Sequence, residues 1–261
     1  MSNGQLTTLN YQLIVFDLDG TLIDSRRDLA NATNALLVEL GAAPLPEDRI
    51  GRMVGDGAAT LVARAFDAAG IEKPPDALPR FLNIYGAHLL DHTRPYPGIV
   101  AALDALGARA SLAVLTNKPI ASTREILAGL DLARHFDAEA VVGGDGPFPR
   151  KPDPAGLRHL MARAGATAAS TLLVGDSVID WKTARAASAH VCLARYGFGF
   201  EEFPLDEIAP GDRIIDCRTA RRAPTSLCVA RYGFGFEQFP RDAIGPDDLS
   251  VAEARELEAV L

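Results

Sequence analysis

The 261-residue chain predicts an α/β fold: a doubly wound parallel sheet with a Rossmann-like core and an inserted helical cap domain. Three observations carry that expectation. From about residue 96 onward, short apolar runs alternate with helical patterns, the rhythm of βαβ units. Several of those runs end in acids, amides or hydroxyls, at the strand ends where open α/β sheets bind ligands. Between about 23 and 95 the pattern is helical only, so the alternation is interrupted after its first strand. The division that follows is a core of residues 1–22 and 96–222, a cap of 23–95 and a C-terminal tail of 223–261.

Each element has a local reason. "YQLIVFDLD" (11–19) is an apolar run closing on acids, a buried strand with a polar C-terminal end. A helix at about 26–40 has Ser25 to cap its start and Gly41 to end it. Two more helical patterns, about 57–69 and 79–92, lead to the punctuation "RPYPG" at 94–98. Then helix 99–107, strand 111–117, helix 119–129 and strand 138–144 alternate. A Pro/Gly loop leads to helix 155–165, strand 171–176, helix 180–187 and strand 190–197.

Bulk properties exclude several functions. The formal net charge is -8, so there is no basic excess for nucleic acid or an anionic membrane surface. No apolar run approaches 18 residues, so no membrane span is expected. The N-terminal "MSNGQLTTLNYQ" has no apolar core of a secretory signal, and three sparse cysteines favour a reducing compartment, so the cytoplasm is the expected location. Only four lysines stand among 26 basic residues, which makes each worth locating.

Four motifs carry chemistry. In "VFDLDGTLIDS" (15–25), Asp17 and Asp19 sit two apart at a strand end. Two acids so placed can divide labour: one attacks phosphorus, the other protonates the leaving alkoxide and then activates water. Gly20 permits a tight turn that brings backbone amides, with Thr21, towards a phosphate. In "LTNKP", Thr116, Asn117 and Lys118 end a strand just before a helix start, where an anion would sit. In "RKPDP", Pro152 holds Lys151 extended and makes it a fixed positive charge. In "LLVGDSVID", Asp176 ends a strand and Asp180 follows one turn later. Four carboxylates in one place conflict unless a hard cation joins them, which argues for Mg²⁺.

With the four motifs in this order and a helical insert after the first, the chain resembles the haloacid dehalogenase-like hydrolases over about residues 12–197. The resemblance implies Asp17 as nucleophile and Asp19 as general acid/base. It implies Mg²⁺ held by Asp17, the Asp19 carbonyl and Asp176, with Asp180 in support, and Thr116 and Lys151 on the transferring phosphoryl group. A second acid at Asp19 points to phosphate esters, through phosphatase or phosphomutase chemistry. "MVGDGAATLV", "RPYPGI" and "VVGGD" look like the bacterial phosphoglycolate phosphatase branch, which also holds phosphatases for other sugar and amino-sugar phosphates. The expected partner is a small phosphorylated metabolite, and the expected assembly a monomer or homodimer. Residues 51–57 are the candidate selecting loop, with Arg52 placed to meet a substrate carboxylate. A catalytically impaired binding protein is the reading from another class.

The chain also repeats itself. Residues 175–210 and 211–246 match at 22 of 36 aligned positions, so "CLARYGFGFEEFP" returns as "CVARYGFGFEQFP". The copied acids Asp212 and Asp216 compete with Asp176 and Asp180 for one metal site. "TLLV" can deliver Asp176 on a buried strand, whereas "EIAP" puts a proline where a central strand needs a donor. The first copy is therefore expected to serve, with "RIID" as a short edge strand.

Overall fold

Leu13–Phe16 forms β1, buried on both faces at the middle of a parallel sheet. The computed structural model describes residues 11–194, 196–197 and three short strands at 213–215, 228–230 and 249–251. β1 lies between Ser111–Leu115 (β4) and Thr171–Gly175 (β6), with Phe16 level with Val114 on one side and Val174 on the other. Val141–Val142 (β5) extends the sheet beyond β4, and His190–Ala194 (β7) extends it beyond β6. Arg213–Ile215 (β8), Cys228–Ala230 (β9) and Leu249–Val251 (β10) continue outward, giving the order β10-β9-β8-β7-β6-β1-β4-β5.

The strands are continuous apolar runs because helices cover both faces. Ile14, Phe16, Leu112, Val114, Leu172 and Val174 face one hydrophobic cluster, shared with helix α5 (Ile99–Gly107) and the cap. Leu13, Val15, Ala113, Leu115, Leu173 and Val191 face the other, closed by helices α7 (Ala155–Ala164) and α8 (Val178–Ala186). The period-2 alternation of side chains thus assigns alternate residues of one run to opposite layers. The strand expected at 138–144 is shorter than read: a 3₁₀ turn at Ala138–Ala140 precedes β5, started by the Asp137 carboxylate accepting from the Glu139 amide.

The cap leaves and rejoins the core through a two-strand neck. Ile23–Asp24 (β2) pairs antiparallel with Arg94–Pro95 (β3). Between them lie α1 (Arg26–Glu39), α2 (Glu47–Gly51), α3 (Ala58–Ala69) and α4 (Ala77–Ala87). α2 and the neck strands are too short to announce themselves by periodicity. α4 stops earlier than the pattern to residue 92 suggests, and Asp28 shows what the exit does instead. Its buried carboxylate accepts from the His92 amide at 3.0 and 2.9 Å, and from the Thr93 amide and hydroxyl at 2.7 Å each. The start of α1 and the return of the chain to the core are pinned by one side chain.

The slot beside β6 holds β7, from the first copy of the repeat. β8 pairs with β7 as a parallel strand. It is not the edge expected of it, because β9, from the second copy, pairs with it in turn. Asp212 and Asp216 lie outside the described residues. No helix among the described residues is long and apolar enough to cross a membrane.

Candidate active site

The registers of β1, β4 and β6 bring their exits level, so the three polar strand ends of the sequence converge. The Asp17 amide donates to the Val174 carbonyl at 2.8 Å, and the Thr116 amide to the Val142 carbonyl at 3.0 Å. Asp17, Asp176 and Asp180 offer carboxylate oxygens that all lie within 4.8 Å of one another, each residue buried. Lys151 enters this cluster from its loop, its Nζ 2.8 Å from Asp17 and 2.6 Å from Asp180. Burial pushes the Asp17 carboxyl up to about 6; Lys151 opposes that shift and Asp180 adds to it. Burial alone would lower the Lys151 ammonium, but Asp17 and Asp180 together carry it above its ordinary value.

Asp180 is fixed by its position at the start of α8. Its Oδ2 accepts from the Ser177 amide at 3.1 Å and the Ser177 hydroxyl at 2.6 Å, a reciprocal capping box. Thr21 Oγ1 donates to Asp176 at 3.1 Å. Two glycines make room for the acids. Gly20 has φ +88°, and a Cβ there would fall 2.3 Å from Asp176 Oδ2. Gly197 belongs to the repeated phrase, and a Cβ there would fall 2.2 Å from the Asp176 Cβ. Its neighbour Tyr196 donates its hydroxyl to the Thr21 carbonyl at 3.0 Å and packs its ring on Tyr96. The loop after β7 is thus a wall of the site, which the motif reading did not assign to it.

Asp19 faces the other way, towards the cap. Its carboxylate accepts from the Ser25 hydroxyl at 2.5 Å and from Lys118 Nζ at 3.0 and 3.1 Å. Ser25 sits at the N-cap of α1 but makes no capping bond; its hydroxyl goes to Asp19 instead. Lys118 also donates to the Tyr85 hydroxyl of α4 at 2.7 Å. Burial lowers the Lys118 ammonium, yet Asp19 and Tyr85 more than offset this and raise it. The Tyr85 phenol is pushed up to about 12, chiefly by burial. Ser25 and Tyr85 were invisible as site residues, since each reads as an ordinary cap or core position.

A cavity lies between cap and core, lined by Asp17, Asp19, Thr116, Lys118, Tyr85 and apolar side chains. Val54, Gly55 and Gly57 of the candidate selecting loop line it. Arg52, the C-cap residue of α2, is exposed and is not among the lining residues. Asn117 also lines the cavity, but its amide is occupied: Nδ2 donates to the Gly55 and Lys151 carbonyls at 3.0 Å each, and Oδ1 accepts from the Lys151 amide at 2.9 Å. It ties the selecting loop and the Lys151 loop to the end of β4. Thr116 Oγ1 accepts from the Lys118 amide at 3.2 Å. At the start of α6 (Ile120–Gly129) the Ile120 amide is taken by Asp145 at 2.7 Å, so that donor of the helix N-terminus is already used.

The buried oxygen donors of Asp17, Asp176 and Asp180 fit a hard divalent cation. A buried carboxylate, a fixed lysine and a second acid under a helical cap define a class. A family model described as haloacid dehalogenase-like hydrolase matches residues 14–194, and the chain belongs to that family. Its relatives place it among the family's phosphoric monoester hydrolases. The phosphoglycolate phosphatase of Rhodospirillum rubrum is 46% identical over 197 residues, covering 72% of this chain and 81% of that protein. That of Caulobacter vibrioides is 38% identical over 208 residues, covering 78% and 86%. Among solved structures, one titled a predicted phosphoglycolate phosphatase from Haemophilus somnus superposes with a TM-score of 0.68 at 25% identity, over 97% of this chain and 99% of that one. CbbY from Rhodobacter sphaeroides, solved with phosphate, shares the fold at a TM-score of 0.65 and 20% identity, over 79% and 94%.

Proposed function

We propose that the chain is a Mg²⁺-dependent phosphatase that hydrolyses 2-phosphoglycolate through an aspartyl-phosphate on Asp17. The observation that carries the reading is the division between the two acids. Asp17 is buried against Lys151, and Asp19 turns to the cap side, held by Ser25 and Lys118. The names of the curated relatives support the substrate.

In the first half-reaction an Asp17 carboxylate oxygen attacks phosphorus, the bond from phosphorus to the ester oxygen breaks, and Asp19 gives its proton to the departing alkoxide. In the second half Asp19 takes a proton from water, which attacks the aspartyl-phosphate, and inorganic phosphate leaves. Lys151 supplies fixed positive charge at the nucleophile, and the Thr116 hydroxyl lies at the same strand ends. The Asp17 and Asp176 carboxylates, with the Asp19 carbonyl and Asp180 in support, would hold Mg²⁺, which when bound neutralises charge on the phosphoryl oxygens. Asn117 acts as a positioning residue for the Lys151 loop, and the cap excludes water from the cavity.

The test is phosphate release from 2-phosphoglycolate and a panel of sugar and amino-sugar phosphates, with and without EDTA. Metal-dependent release, fastest from 2-phosphoglycolate and lost in Asp17→Asn, is the expected result. Isomerised product without free phosphate would make it a mutase. Absence of turnover on every substrate would make it a binding protein.

A further inference from the structure

The cavity is apolar on most of its wall, with Leu29, Val54, Leu61, Phe81 and Leu82 among its lining residues. A polyhydroxylated leaving group would leave hydroxyls unpaired against those side chains, each at a desolvation cost. Yet one patch of this wall is strongly polar. Lys118 is the only cation among the described residues that line the cavity, and its side chain is 4% exposed. Arg52, the cation expected from the sequence, is outside. Lys118 Nζ touches the Asp19 carboxylate and the Tyr85 hydroxyl at once. The Tyr85 oxygen accepts from Lys118, so its own proton is available to a further acceptor. Lys118 gives two of its three N–H groups to Asp19 and one to Tyr85, so a carboxylate in the cavity takes one of the two that Asp19 shares, together with the Tyr85 hydroxyl proton 2.7 Å away.

Their distance from Asp19 sets where that carboxylate must be. If Asp19 reaches the ester oxygen, Lys118, 3.0 Å from Asp19, reaches a group one or two bonds further along the leaving group. In a phosphate ester of a 2-hydroxy acid, the carboxyl carbon is two bonds from the ester oxygen.

Resting on the phosphatase reading above, we propose that Lys118 and Tyr85 form a carboxylate receptor. It selects phosphate esters of small 2-hydroxy acids over neutral esters of the same length. Lys118 comes from the core and Tyr85 from the cap, so a bound carboxylate also bridges the two.

The experiment compares kcat/KM for 2-phosphoglycolate and 2-hydroxyethyl phosphate, which replaces the carboxylate with a neutral hydroxymethyl group. It uses the full chain and its Lys118→Met, Lys118→Arg and Tyr85→Phe variants. The wild type is expected to prefer the acid. Lys118→Met is expected to lower the preference ratio about 100-fold, since a buried charge pair is lost. Tyr85→Phe, which keeps the ring packed on Phe81, is expected to lower it about 5-fold, as for one hydrogen bond. Lys118→Arg is expected to restore part of the preference. An equal fall on both substrates in Lys118→Met would overturn the proposal and show that Lys118 acts only through Asp19. An unchanged ratio in Tyr85→Phe would remove Tyr85 from the receptor. Equal turnover of both esters by the wild type would sink the receptor while leaving the phosphatase reading intact; absence of turnover on either would sink that reading first.

Discussion

Gly197→Ala turns the repeated phrase into a test of the site. The added methyl would lie 2.2 Å from the Asp176 Cβ and 2.3 Å from its Oδ2. Two carbons rest at about 3.5–4.0 Å, so an ordinary contact requires a displacement of more than about 1 Å. Asp176 has little room to yield, because it ends β6 in register with β1 and accepts from Thr21. A shift of about 1 Å at a group that orders the reacting atoms costs on the order of 100-fold in rate. The assay is phosphate release from 2-phosphoglycolate across a Mg²⁺ titration. The expected result is a fall in kcat/KM of about that size with a raised Mg²⁺ requirement. Gly233→Ala, the same change in the second copy, serves as comparison and is expected to leave both near wild type. Unchanged kinetics in Gly197→Ala would refute the claim that this loop walls the metal site. Loss in Gly233→Ala alone would assign that role to the second copy.

Other expectations concern the acids, the neck and the tail. Asp176→Ala should abolish metal-dependent turnover while Asp212→Ala retains it; the reverse would make the second copy's acids the working pair. Asp28→Ala removes a buried carboxylate that four hydrogen bonds converge on, and should cost about 2–4 kcal/mol. In a thermal melt that is a fall of roughly 5–12 °C, and a Tm within a degree of wild type would show that the neck does not depend on Asp28. Ending the chain after residue 222 removes β9 and β10, which lie outside β8, and should leave a folded, active enzyme. An insoluble or inactive product would show that these strands are integral to the sheet.

The parallel sheet was legible because its strands are apolar on both faces and each ends in a polar group. Asp17, Thr116 and Asp176 needed only that pattern and a shared register. Lys151 was found because Pro152 restrained it. What stayed hidden depends on contacts across long sequence separations. Tyr85 lies in a helix and reads as a core aromatic until Lys118, 33 residues on, reaches its hydroxyl. Ser25 reads as a helix cap, yet its hydroxyl serves Asp19. Arg52 was assigned by charge alone, and its exposed place at the C-terminal end of α2 leaves it off the cavity wall. Gly197 carries no signal in the sequence beyond its place in the repeated phrase. Its constraint is steric, and only the approach of Asp176 from β6 reveals it. The repeat showed that a strand had been copied, and the copy with the shorter connection takes the slot beside β6, as its place in the chain suggests.

The central claim is that Asp17 carries the phosphoryl group. Enzyme turning over ³²P-labelled 2-phosphoglycolate with Mg²⁺, quenched in acid and digested, should yield label on the peptide containing Asp17. That label should vanish with unlabelled chase and be absent in Asp17→Asn. Turnover without a labelled enzyme peptide, or label retained in Asp17→Asn, would contradict the account.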